Sequence, residues 1–189
     1  MCGQALGGIF IMSITLVIDT STSRTSVGII KDGALIWSGF KDGATAHGPA
    51  LPALVQEEIT GQSIDEVVVG MGPGPFTGLR IGIAFARSFA LARNISVRGV
   101  CSLDAIAAQV DEKDFIVTAD ARRKEVYWAR YKEGVRVGEP TVSFPSAVIG
   151  AKVYADLYPN LLAMAALSGN ITEPIYLRHP DAVATVDRQ

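Results

Sequence analysis

The sequence has few of the residues that build metal centres and disulfide frameworks. Its 189 residues include two cysteines, Cys2 and Cys101, and two histidines, His47 and His179. Two cysteines are too few for a disulfide framework and form no zinc pattern, so we expect a reducing cytoplasm as the location. The histidines are far apart in sequence, and we interpret each as a polar surface or loop residue rather than a metal ligand.

Strong net charge and a membrane-spanning run are also missing. A net charge of −2 gives no field that would hold RNA or an anionic membrane unaided, so any RNA contact would be local or shared with a partner. Residues 1–13 lack the basic start of a signal peptide, and the apolar run that follows ends at Asp19, too early to span a bilayer. We therefore predict no export signal and interpret residues 1–13 as an N-terminal extension, with Met1 or Met12 as the translation start.

Hydrophobic residues make up 49% of the chain, which is enough for the core of one large domain or two small ones. The pattern predicts a strand ending in Asp19, a hydroxyl-rich turn, a second strand, a hairpin at residues 31–33 and a third strand. Helices and strands then alternate, beginning with a helix from residue 48 to about residue 59. This order predicts a mixed sheet with helices packed on it.

The most distinctive stretch runs from Gly70 to Arg93, where a loop rich in glycine and proline leads into a long apolar helix. Thr77 is the predicted N-cap of that helix. Loops of this kind can hold phosphate at the helix N-terminus. Pro73 and Pro75 have no N–H to donate, however, and no lysine stands where a Walker loop has one. We therefore favour a loop that directs the helix over a phosphate site.

Small residues recur every four positions along this helix, at Gly78, Gly82, Ala86 and Ala90. They form a smooth ridge, called the glycine ridge below, that another backbone could approach closely. Phe85 and Phe89 lie beside it, and a helix that is apolar almost all the way round must be buried on several sides. We predict that the glycine ridge and the two phenylalanines form a partner interface. The alternative is that the helix is central to its own domain.

The second half of the chain begins like the first. Residues 115–119 form a predicted strand that ends in Asp120, and a turn, another strand and a hairpin follow. Asp19 precedes Gly33 by the same interval as Asp120 precedes Gly134. This spacing predicts a duplicated domain, with one unit at residues 14–110 and a shorter one at residues 111–189.

Two such units facing each other would place Asp19 and Asp120 across a cleft. Thr20 and Ser21 would lie on one side of it and Arg122 on the other. Carboxylates repel bare phosphate but can hold its magnesium ion through water. We interpret these five residues as a vestigial nucleotide site.

Five segments carry a resemblance to the TsaB (YeaZ) family: IDTSTSRTSVGI, GMGPGPFTGLRIGIAFARSFALA, SLDAIA, DARRKEVYWA and PIYLR. The resemblance extends from about Ile14 to Arg178, and GPGPFTGLRIG is its most specific part. It implies an α/β fold of tandem ribonuclease H-like, actin-like ATPase domains with mixed β-sheets, the second domain being shortened here. It also implies a non-catalytic role in bacterial synthesis of the threonylcarbamoyl modification on adenosine beside the tRNA anticodon.

The same resemblance implies partners and excludes some chemistry. The family pairs with a catalytic paralogue, TsaD, and recruits a P-loop ATPase, TsaE. The paralogue has two metal-binding histidines four residues apart, and Ser102 and Ile106 stand at the corresponding positions here. Neither binds metal as histidine does. The sequence also has no HExxH pattern and no recognisable Ser-His-Asp constellation, which disfavours the peptidase chemistry of the older glycoprotease name.

We therefore expect an accessory subunit with no catalytic residues and no required cofactor or metal, and at most a weakly held magnesium nucleotide at the cleft or partner interface. It would activate a TsaD-type paralogue, meet tRNA indirectly and form a homodimer when alone. The alternative is an actin-like ATPase or small-molecule kinase that uses Asp19 and Asp120 around magnesium.

One expectation is directly measurable. The isolated protein should bind no stoichiometric zinc or iron, because Ser102 and Ile106 replace the paralogue's ligands. Elemental analysis that found about one transition metal per chain would contradict this prediction.

Overall fold

The computed structural model describes residues 13–59 and 61–178. The remainder of the predicted N-terminal extension, together with Cys2 and His179, lies outside the described residues. The elements in chain order are β1 Ile14–Asp19, β2 Arg24–Lys31, β3 Ala34–Asp42, α1 His47–Glu58, β4 Glu66–Gly70, α2 Phe76–Arg93, β5 Ser96–Val100, α3 Ser102–Ala107, β6 Asp114–Asp120, β7 Val126–Lys132, β8 Val135–Ser143, a 3₁₀ turn Pro145–Ala147, β9 Lys152–Tyr154 and α4 Leu161–Ala166. No helix in the described ranges is long and apolar enough to cross a membrane.

The first sheet has the strand order β3-β2-β1-β4-β5. The first three strands are antiparallel neighbours, whereas β4 runs parallel to both β1 and β5. Both faces are covered. Leu16 and Ile18 pack in the same core as residues of α1 and α2, and Val17 between them packs with residues of α3 and α4. Successive side chains of β1 therefore pack against two different helical layers, one on each face of the sheet.

The second sheet has the order β8-β7-β6-β9 and repeats the pairing of the first four strands of the first sheet. This confirms the predicted duplication. Between β8 and β9, where the first unit has α1, the described chain has only the 3₁₀ turn Pro145–Ala147. After β9, where the first unit has the long α2, it has the six-residue α4. The shortening predicted from the sequence thus falls on the helices of the second unit.

Helix α3 lies between the two sheets and belongs to both cores. Ala105 packs in the core of the first sheet, while Leu103 and Ile106 pack with Phe115 and Val117 of the second. Helix α4 and the segment after it return to the first sheet, where Ile171 N–H donates to the carbonyl of Gly99 at 2.8 Å. Residue 110 lies between the last strand of the first sheet and the first strand of the second, but the C-terminal segment makes contacts with the first sheet.

Two local predictions are wrong at helix starts. Pro75, not Thr77, is the N-cap of α2, and Thr77 lies inside the first turn. The apolar run at residues 157–167 predicts a helix over that range, but α4 begins only at Leu161, because Pro159 disfavours helical geometry at the residue before it. The Asn160 side chain caps α4 by accepting from the Ala163 N–H at 2.9 Å.

The glycine ridge faces the interior of the chain itself. Gly78, Gly82, Ala86 and Ala90 are all buried. Thr20 Oγ1 donates to the Gly78 carbonyl at 2.8 Å, and a Cβ placed on Gly82 would lie 2.2 Å from that same Oγ1. The loop after β1 therefore occupies the first half of the ridge, and Ala86 and Ala90 pack in the core of the first sheet. The prediction of a partner interface at these four positions is wrong, and the alternative, a helix central to its own domain, is confirmed.

This contact generates a stability prediction. Gly82→Ala should lower the free energy of unfolding by about 1–3 kcal/mol, because the added methyl group has no space beside Thr20. Adding Thr20→Ala removes the clashing hydroxyl, so the double variant should be more stable than the sum of the two single effects predicts. Urea denaturation measures all three variants. Ser88→Ala, on the exposed face of the same helix, is the control and should stay within about 0.5 kcal/mol of wild type. Purely additive effects would show that the contact is not formed.

Candidate functional site

The carboxyl end of β1 is the most polar part of the interior. Asp19 is 1% exposed. Its Oδ1 accepts the N–H and the hydroxyl of Ser21 at 2.9 and 2.8 Å, and its Oδ2 accepts the hydroxyl of Ser102 at 2.7 Å. Burial raises the pKa of Asp19, and the bonds from Ser102 and Ser21 oppose that rise. Both carboxylate oxygens are thus engaged inside the protein, away from solvent.

His47 is a second buried polar group close to this loop. It is 2% exposed and begins α1, which corrects the sequence-based interpretation of a surface residue. Its Nδ1 lies 2.8 Å from Thr25 Oγ1. Burial lowers the pKa of His47, and the positive charge of Arg122 lowers it further. The imidazole is therefore neutral at pH 7 and serves as a hydrogen-bonding core residue.

A cavity of about 560 Å³, called the cleft cavity, separates the turn after β1 from the second sheet. Thr22 and Ser23 line one side, and Asp120, Lys124 and Glu125 line the other. This is the cleft predicted between the two units. Asp19, Thr20 and Ser21 do not line it, since all three are buried at 1% exposure.

The predicted nucleotide residues are therefore divided by the fold. Asp120 is accessible and pairs with Arg122, whose Nη1 lies 3.4 Å from its Oδ2, and Arg122 lines a different cavity. The structure does not bring the carboxylates of Asp19 and Asp120 to one cavity surface. Nucleotide binding at these residues stays a prediction, and in this arrangement Asp19 has no oxygen directed at a cleft-bound metal.

The positions that correspond to the paralogue's histidines are structural in this chain. Ser102 is 1% exposed and donates to Asp19, and Ile106 is fully buried in the core around α3. Within the described part of the chain, no group of three histidine, cysteine, aspartate or glutamate side chains is placed to hold a metal ion. Cys101, beside Ser102, is buried, and burial raises its thiol pKa to about 12. It therefore stays protonated and unsuited to nucleophilic chemistry.

Two interactions at this site were missed by the sequence analysis. The bond between Ser102 and Asp19 joins residues 83 positions apart, and the bond between Thr25 and His47 joins residues 22 positions apart. The residue types are ordinary, and no local pattern in the sequence marks either pair. Only the parallel alignment of β1, β4 and β5 brings Ser102 beside Asp19.

The sequence of this chain is similar to those of several known proteins. A family model described as TsaD, tRNA N6-adenosine threonylcarbamoyltransferase, matches residues 47–179. An uncharacterized protein of Mycobacterium tuberculosis is 39% identical over 200 residues, which cover 90% of this chain and 94% of that protein. The tRNA threonylcarbamoyladenosine biosynthesis protein TsaB of Escherichia coli is 35% identical over 138 residues, which cover 67% of this chain and 59% of that protein. The chain thus spans less than two thirds of the length of the curated TsaB protein.

Solved structures show the same fold. YeaZ from Pseudomonas aeruginosa is 26% identical with a TM-score of 0.69, over 82% of this chain and 90% of that one. A second Pseudomonas aeruginosa structure, of an uncharacterized protein with similarity to peptidase YEAZ, has a TM-score of 0.74 at 24% identity, over 88% of this chain and all of the other. The predicted α/β fold with two mixed sheets is confirmed. With the family model matching well over half of its length, and TsaB sequences and a YeaZ structure among its relatives, the chain belongs to the TsaB (YeaZ) family.

Proposed function

We propose that this protein is a non-catalytic, cytoplasmic subunit that binds and activates a TsaD-type catalytic paralogue in forming threonylcarbamoyladenosine on tRNA beside the anticodon. A TsaE-type P-loop ATPase would complete the assembly, and the chain would pair with itself when no partner is present. The main support for the proposal comes from Ser102 and Ile106, which stand where the paralogue has its two metal-binding histidines. Both side chains are committed to the protein interior, so the paralogue's metal centre has no counterpart at these positions.

The alternative of an independent ATPase or kinase is less well supported by the same geometry. Such an enzyme would need Asp19 to hold hydrated magnesium at the nucleotide phosphates. Asp19 instead accepts three hydrogen bonds from Ser21 and Ser102. The backbone of Gly70 leaves no space on its side of the carboxylate, since a Cβ added to Gly70 would lie 2.0 Å from Asp19 Oδ2.

We assign the partner surface to the outer face of α2, opposite the glycine ridge. Ala84 and Ser88 are exposed one turn apart, and Leu91 is 84% exposed. Small side chains one turn apart allow close approach of a second helix, and an exposed leucine adds apolar area. Of the two phenylalanines predicted at the interface, Phe89 is 8% exposed and Phe85 is half-buried. Both line a groove between α1 and α2, so we move the proposed interface to the outer face and the rim of this groove.

A substitution on that face tests the partner role. Ala84→Arg should melt as wild type does, because residue 84 is exposed, but should fail to co-elute with the TsaD-type paralogue and should leave tRNA unmodified in a complementation assay. A bulky charge at a closely packed helix contact is left desolvated and unpaired. Ala147→Arg, in the exposed 3₁₀ turn of the second unit, makes the same change elsewhere and should bind normally. Normal binding by Ala84→Arg would remove this face from the interface.

Asp19→Asn distinguishes the accessory role from the enzyme. The asparagine can accept from Ser21 and donate to Ser102, so the variant should fold and support normal tRNA modification.

Folding raises the pKa of Asp19 above its ordinary value of 3.8, so ionisation of this group makes wild type less stable as pH rises from 3.8 to the folded-state pKa. Asp19→Asn has no carboxyl group to ionise at this position. Its free energy of unfolding, measured by urea denaturation and compared with that of wild type, should therefore increase across this pH range.

Asp42→Asn is the control with the opposite sign. Its partner Arg24 lowers the pKa of Asp42, so ionisation of Asp42 adds stability to wild type as pH rises toward 3.8. The stability of Asp42→Asn relative to wild type should therefore decrease with pH. A folded Asp19→Asn protein that abolished tRNA modification, or that lost an ATPase activity present in wild type, would favour the enzyme.

A further inference from the structure

A cavity distinct from the cleft cavity opens between the start of α2, the loop joining β6 to β7 and the last described residues. Its volume is about 390 Å³. Its lining combines three arginines with three aromatic residues: Arg122, Arg123, Arg178, Phe76, Tyr127 and Tyr176. The described residues that line it include no carboxylate. We call it the arginine–aromatic cavity.

The carboxylates that pair with two of these arginines, Arg122 and Arg178, line the cleft cavity on the other side of the loop. They belong to Asp120, the partner of Arg122, and Glu125, the partner of Arg178. The carboxylates of these two ion pairs thus line one cavity, while the arginines line the other. Each guanidinium carries five N–H donors in a planar fork that matches phosphate oxygens.

The loop that carries two of the arginines has a strained backbone. Arg122, Arg123 and Lys124 have successive φ angles of 63°, 55° and 65°. For residues other than glycine each such angle is unfavourable, and strain of this kind is concentrated at binding sites. The conformation is fixed by the Arg122 N–H, which donates to Asp120 Oδ1 at 2.8 Å, and by paired backbone bonds between residues 121, 122 and 125. The backbone that carries these arginines is thus held in place by the protein itself.

The aromatic side of the cavity is accessible. Phe76 and Tyr176 are 38% and 40% exposed, and their ring centroids lie 5.0 Å apart at 44°. Exposed aromatic rings next to arginines are the surface on which unpaired nucleobases stack while phosphates meet the cations. In a chain of net charge −2, such a site would supply local contact rather than a general field.

We propose that the arginine–aromatic cavity binds one nucleotide of a single-stranded RNA, with its phosphate on Arg122 and its base against Tyr176 and Phe76. Every base has a face that can stack, so the site would be tolerant of sequence. A duplex should bind less well, because its bases are already stacked. The site is separate from the partner surface proposed on α2, and its test requires no catalytic partner.

The test is fluorescence anisotropy of the isolated full chain with a labelled single-stranded RNA of about 12 nucleotides. Arg122→Ala should weaken binding and reduce the slope of log affinity against log salt by about 0.7, the value for one lost phosphate contact on a single strand. Tyr176→Ala should weaken binding at least about fivefold with little change in slope. Tyr176→Phe keeps the ring and should bind as wild type.

Lys113→Ala is the matched control. Lys113 is an 87% exposed cation at the opposite end of β6, so its loss should leave affinity and salt slope unchanged. Thermal melts of each variant verify folding, and the salt slope of Arg122→Ala keeps the test decisive if Tyr176→Ala is destabilised. Absence of RNA binding by wild type, equal effects of Lys113→Ala and Arg122→Ala, or equal binding of duplex RNA would each overturn the proposal. Competition by ATP as strong as that by unlabelled RNA would reassign the cavity to a free nucleotide and overturn the RNA assignment.

Discussion

The structure depends on how closely the end of β1 can approach the elements around it. Asp19 reaches Ser102 only because residue 70, on the neighbouring strand, is glycine, and Thr20 reaches α2 only because residue 82 is glycine. At both places a Cβ would lie within 2.2 Å of an oxygen atom. Close packing of this kind leaves no freedom to slide, so it fixes the register of α2 and α3 against the first sheet.

This contact also decides how the two units of the duplicated fold are joined. Helix α3 begins at the residue that binds Asp19 and then contributes opposite faces to two cores. The segment from Ile171 to Arg178 adds a second connection, since Ile171 packs with both cores and Ile175 N–H donates to the Met71 carbonyl at 2.8 Å. The shortened second unit, with few helices of its own, thus obtains much of its cover from elements shared with the first.

The consequence for function is that the buried polar residues around the end of β1 are used to hold the fold. Asp19, Ser102 and His47 are all buried and hydrogen-bonded to protein atoms. The accessible groups with binding potential lie elsewhere, on the outer face of α2 and on the loop containing Arg122 and Arg123. A subunit that supplies surfaces to partners and to RNA is consistent with this division, because recognition needs exposed groups on a rigid support.

The sequence by itself determined the order of strands and helices in the first unit, the two hairpins and the duplication. These features depend on periodicity and turn residues within short segments, such as the Asp32–Gly33 turn, where both residues have positive φ. It also correctly showed that the glycine ridge had to meet another backbone closely. Only the tertiary structure decided which backbone that was, and that Asp19 would face Ser102 rather than a cleft. The spacing of small residues records a close approach but not the identity of the neighbour, which is set by sheet pairings between segments far apart in the chain.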